Sequence, residues 1–127
     1  MLLFALLLPG CARDIQLTYY TDVCTDWDLN NTQAELRVEG EGMDFVITRM
    51  GVERPEGSTF QPQIQANGWK IQIIEDWELL DEEEGTDLCF GPTVVMEDPP
   101  SGEYTIQWFD RPGVITPVHE ETLSVGG

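Results

Sequence analysis

Positive charge is what this chain lacks most. Against 24 Asp and Glu it sets only 6 Lys and Arg, with Lys70 as the single lysine, for a formal charge of −18. Such a surface repels phosphate backbones and anionic lipid headgroups alike, so nucleic-acid binding is excluded. Histidine is nearly absent too: His119 stands alone, which removes any His-rich metal site, and its neighbours Glu120 and Glu121 point to alternate faces of an extended strand. Long hydrophobic runs are missing. The longest, Leu2 to Leu8, has seven residues, where a membrane-spanning helix needs about 20. A Gly-rich phosphate loop, a nucleotide fingerprint and a Cys-x-x-Cys pair are also absent. Ser58, Ser101 and Ser124 lie outside any Gly-x-Ser-x-Gly elbow that would activate a hydroxyl. Acids are so numerous that the spacing of any two says nothing about two-carboxylate glycoside hydrolysis. The chain is therefore expected not to be an enzyme, with a small secreted hydrolase as the alternative and no catalytic residue assigned.

What is present is ordinary globular text. At 127 residues, 41% hydrophobic and 24% charged, the chain is long enough for one core and too short for two. Alternation dominates: Ala34, Leu36 and Val38 against Glu35, Arg37 and Glu39; Tyr104, Ile106 and Trp108 against Glu103, Thr105 and Gln107. Ile15-Leu17-Tyr19, Met43-Phe45-Ile47, Val94-Met96 and the stretch Val114 to Val118 behave similarly. Turn chemistry separates them, at Gly40-Glu41-Gly42, Pro99-Pro100-Ser101-Gly102 and Arg111-Pro112-Gly113. The first of these is short enough for a hairpin, while Arg54 to Ser58 reads as a longer loop. Trp69 to Leu80 fits both periods, but β-branched Ile71, Ile73 and Ile74, and four acids at what would be a helix C-terminus, favour one long strand. The expectation is an all-β sandwich of about seven or eight strands.

Two local resemblances refine this. Leu8-Pro9-Gly10-Cys11, closing the apolar run, resembles the lipobox of bacterial lipoproteins. The resemblance implies a signal peptide over residues 1–10, cleavage before Cys11, acylation of Cys11, a short tether over 11–14 and a domain over 11–127. It also implies a bacterial cell envelope, with Ala12 after the cysteine matching outer-membrane sorting, and contact with the membrane through the lipid only. Pro100-Ser101-Gly102-Glu103-Tyr104-Thr105-Ile106 resembles the tyrosine-corner approach of immunoglobulin-like and fibronectin-like domains. Ile106 stands where antibody domains carry their second bridging cysteine, which implies an immunoglobulin-like sandwich without that disulfide.

An exported protein with three cysteines leaves one thiol over, and acylation of Cys11 would account for it. Cys24 and Cys89 then form an even pair in a compartment that permits disulfides. Their 65-position separation would make a bridge worth about 4 kcal/mol. Acids gather around both: Asp22, Asp26, Asp28 and Asn30 around Cys24, and Asp81 to Glu84 with Asp87 before Cys89. Oxygen-rich loops are what Ca²⁺ requires, and Asp26-x-Asp28-x-Asn30 echoes the opening of an EF-hand loop, although Asn31 replaces its glycine and Arg37 its closing glutamate. The preferred reading is a solvated acidic face with no cofactor. The alternative is Ca²⁺ on Asp22, Asp26, Asp28, Asn30 and Asp87 in a calcium-dependent adhesion or matrix domain. Either way the function expected is a lipid-anchored binding or structural module whose protein or glycan partner the residues do not name.

Overall fold

Where the sequence alternates cleanly, the chain is extended. The computed structural model describes residues 4–8, 15–24, 33–79 and 87–126, the first segment through its backbone, and no helix occurs among them. In order the strands are β1 (Phe4–Leu8), β2 (Ile15–Val23), β3 (Glu35–Glu41), β4 (Asp44–Met50), β5 (Val52–Pro55) and β6 (Ser58–Phe60). They continue with β7 (Gln63–Asn67), β8 (Lys70–Ile74), β9 (Trp77–Leu79), β10 (Asp87–Glu97), β11 (Gly102–Phe109) and β12 (His119–Val125).

The larger sheet runs β1-β2-β10-β4-β3, with β5 continuing the β4 side of β10. Eleven-residue β10 is its spine. Pro92 sits inside this central strand, opposite Thr21 of β2, and it is tolerated because on the other side β10 changes partner there: Thr93 to Met96 pair with β4 and Asp87 to Phe90 with β5. A proline without an N–H belongs where a ladder is interrupted. Gly51, at φ 94°, makes the matching kink between β4 and β5. The smaller sheet runs β12-β11-β8-β7, with β8 parallel to β11, and β6 and β9 form a two-stranded extension.

Between the sheets lies one core. Ile15, Leu17, Ile47, Val94 and Met96 come from the larger sheet, Ile64, Ile71, Ile73, Tyr104, Ile106 and Trp108 from the smaller, and Phe60 from β6. Each such side chain contributes roughly 1.5–3 kcal/mol on leaving water. The all-β sandwich is thus the fold. Tyr104 donates its hydroxyl to Pro100 O (2.7 Å), the backbone bond a tyrosine corner makes. Trp69 packs edge-on against the same ring at 4.9 Å, and a Cβ on Gly102 would overlap its indole.

Three local expectations are corrected. Among the described residues the strands number twelve rather than seven or eight, in part because the expected long strand is interrupted. The stretch expected over Trp69 to Leu80 is, through Leu79 where the described residues end, β8 and β9, the second arm of a hairpin whose first arm is β6 and β7, turned at Gly68. The break at Glu75-Asp76 faces Gln61-Pro62, where Pro62 has no N–H to offer; Gln61 N instead donates to Asp76 O (2.9 Å). Val114 to Val118 is not a strand. Pro117 interrupts it, Ile115 is left 94% exposed, and pairing with β11 begins at His119. Residues 54–58, read as a loop, are instead the end of β5, a tight turn at Gly57 and the start of β6. The hairpin at Gly40-Glu41-Gly42 forms, with β3 and β4 closing at Glu41 opposite Asp44 and Gly42 at φ 66° in the turn.

Candidate functional site

β10 and β2 place Phe90 opposite Val23, so the next pair in register is Cys89 with Cys24. Their Cα atoms are 5.2 Å apart, within disulfide range, and Cys24 N donates to Cys89 O (2.9 Å). Of the proposed calcium set, Asp26, Asp28 and Asn30 lie outside the described residues, as does 81–86. Asp22 pairs with Gly91, four positions along β10 from Asp87, which separates the two by about 13 Å along the strand. Among the described residues no group of three or more acids, cysteines or histidines converges as a metal site would require. Ser124 and Ser101 belong to the far end of the β11–β12 pair from His119, about 17 Å away along the strand.

The group that sequence reasoning missed is Glu75. It is fully buried, in the break between β8 and β9, at the end of the core where Phe60, Trp77 and Trp108 meet. Four donors fill its two oxygens. Arg49 Nη1 (2.9 Å) and Trp108 Nε1 (2.9 Å) donate to Oε1; Trp77 Nε1 (2.7 Å) and Arg54 Nη2 (3.2 Å) donate to Oε2. Glu75 N donates to Phe109 O (2.9 Å), which carries the backbone through the break. Arg54 also lies over the Trp77 ring at 5.6 Å. The local chain explains the arrangement: alternation points Ile71, Ile73, Glu75 and Trp77 inward, and β4 and β5, on either side of Gly51, aim Arg49 and Arg54 at the same point.

Chemically this is a clamp. A carboxylate engaged by two guanidinium groups and two indoles has its two oxygens fully taken up by donors from the fold itself. Its effect is to tie the larger sheet, through Arg49 and Arg54, to β9 through Trp77 and to the smaller sheet through Trp108. Arg49 extends the network by donating Nε–H to His119 Nε2 (3.3 Å), so that nitrogen is an acceptor and the imidazole is neutral. Burial, and then the Arg49 charge, hold the His119 pKa below its ordinary 6.5, against weaker opposing pulls from Glu121 and Glu75. The folded chain therefore binds this proton less readily than the unfolded chain. Below about pH 6.5 unfolding takes up a proton, and stability falls as pH is lowered towards the folded-state value. Urea midpoints measured between pH 7 and pH 5 are expected to drop for the native chain, and to drop less steeply for His119→Gln; parallel slopes would remove His119 from the account.

Outside the core, the exposed face of the larger sheet carries a depression of about 130 Å³ between β2 and β4, lined by Tyr20, Asp22, Thr48, Met50, Gly91 and Thr93. Gly91 makes it, since a Cβ there would already touch Met50 and Thr48 at 3.4 Å. Thr48 and Thr93 hydroxyls are joined (3.0 Å), and Thr93 donates to Gly91 O (3.0 Å), so its floor is satisfied internally. At less than half the roughly 300 Å³ of a small ligand pocket, it suits contact with an extended surface rather than enclosure of a molecule. Compared with protein-family models, with curated proteins and with solved structures, the chain matches none.

Proposed function

We propose that this chain is a lipid-anchored β-sandwich of a bacterial cell envelope that acts as a binding or structural module and not as a catalyst. The observation that carries the reading is the apolar run ending in Leu8-Pro9-Gly10-Cys11. Two structural facts support it. Cys24 and Cys89 stand at disulfide distance, which leaves Cys11 as the odd cysteine of an exported chain. Glu75, the buried acid of the described core, is consumed by structural bonds, which supports a non-catalytic role.

The test is the intact mass of the protein extracted from membranes of its source or of an expressing bacterium. A chain beginning at acylated Cys11 is expected, and Cys11→Ser should move the protein out of the membrane fraction. An N-terminus still at Met1, or a Cys11 without added acyl mass, overturns the reading.

A further inference from the structure

The two edges of β2 are unequally used. β10 pairs with it from Gln16 to Val23, whereas β1 covers only Ile15 to Tyr19. Cleavage before Cys11 removes β1, and among the described residues no other strand pairs with that edge. Natural edge strands are guarded by lysines, prolines, bulges or inward-pointing charges. The sequence Ile15-Gln-Leu-Thr-Tyr-Tyr-Thr-Asp-Val23 has none of these, and Asp22 is its sole charge. The other edges differ. β3 carries Glu35, Arg37, Glu39 and Glu41, β12 carries Glu120 and Glu121, and β7 is neutral but only five residues long.

We infer that the mature chain pairs with a second copy of itself through this edge, two β2 strands running antiparallel about a two-fold axis at Tyr19. The inference rests on the reading of residues 1–10 as a leader. An axis normal to the sheet sets Ile15 opposite Val23, Gln16 opposite Asp22 and Leu17 opposite Thr21. Core-facing positions then meet core-facing positions, and the two larger sheets join as one. The edge is already shown to accept an antiparallel strand, because β1 lies on it in that sense. A second β2 is nine residues long and covers all of it, where β1 covers five. Repulsion between two copies of charge −18 opposes the contact, and salt screens it over about 8 Å at physiological strength.

Sedimentation equilibrium decides the matter, comparing residues 11–127 with the full chain, both carrying Cys11→Ser so that neither is processed or acylated. The shorter chain retains every core residue whose side chain is described, and far-ultraviolet circular dichroism of both chains checks that it is folded. It is expected to sediment at twice its monomer mass at tens of micromolar, more completely as NaCl is raised, while the full chain sediments as a monomer. Gln16→Glu places a like charge opposite Asp22 twice in the symmetric pair and should weaken association roughly three- to tenfold. Adding Asp22→Lys to that variant should restore it. A folded 11–127 chain that stays monomeric, a dimer indifferent to Gln16→Glu, or equal association of both chains overturns the proposal. If 11–127 dimerises as described but the cellular protein still begins at Met1, the leader reading fails and the pairing of the exposed edge stands.

Discussion

Replacing Glu75 with Gln is expected to lower the unfolding free energy by about 3–5 kcal/mol, the cost of removing one member of a buried ion pair. The glutamine fits the space, so the loss is electrostatic. Its carbonyl can still accept from Arg49 and Trp108, but its NH₂ faces the Trp77 indole N–H and the Arg54 guanidinium, donors against a donor. The Arg49 side chain, 13% exposed, then holds a charge with little access to water. Glu75→Leu removes the acceptor outright and should cost at least as much. Arg54, with a side chain 34% exposed, is a graded control: Arg54→Met removes one donor and keeps the stem over Trp77, and about 1 kcal/mol is expected. Urea denaturation followed by tryptophan fluorescence measures all three. If Glu75→Gln changes stability by less than about 1 kcal/mol, the four-donor network is not what joins the sheets. Against a total of roughly 5–15 kcal/mol for a domain, the expected loss would leave this chain close to unfolding.

The sandwich was legible because alternation is a local signal. Leu36 to Val38 and Tyr104 to Trp108 state which face is buried without reference to the rest of the chain. The Cys24 and Cys89 pair was legible from cysteine arithmetic, and strand register then explains it. Glu75 was hidden by number, as one acid among 24. Its one sequence signal is parity: it occupies the inward position between Ile73 and Trp77, where every other residue of that set is apolar. Its partners gave no signal at all, since Arg54 lies in a stretch that Pro55 and Gly57 make read as loop, and Arg49 and Trp108 reach it only once both sheets have formed. His119 was read as solitary for the same reason; its partner Arg49 is 70 positions away. The misplaced strand at Val114 to Val118 has a different cause. The stretch is apolar enough to resemble a strand, but Pro117 lacks the N–H that a ladder needs, and β12 takes the weaker pattern His-Glu-Glu-Thr-Leu-Ser-Val that can pair throughout.

Opening the Cys24–Cys89 bridge is expected to cost about 4 kcal/mol, because it releases a loop of 65 positions in the unfolded chain. For a domain of this size that corresponds to a fall in Tm of roughly 12–20 °C. Scanning calorimetry of the oxidised protein, of the protein in reductant and of the Cys24→Ala, Cys89→Ala double variant should give one high and two similar low transitions. A fall of under about 1 kcal/mol in both low arms would mean that the loop is already constrained without the bond. The bridge also bears on the buried clamp. β5 pairs with the same end of β10, Glu53 opposite Cys89 and Arg54 opposite Leu88, so the strand that carries Arg54 is held beside the bridge. When the bridge opens, that end of β10 loses its covalent tie to β2, and Arg54 loses the fixed backbone from which it reaches Glu75. The two changes should therefore not add: Arg54→Met is expected to cost less in the reduced protein than in the oxidised one. Arg49, paired through β4 farther along β10, should show no such coupling.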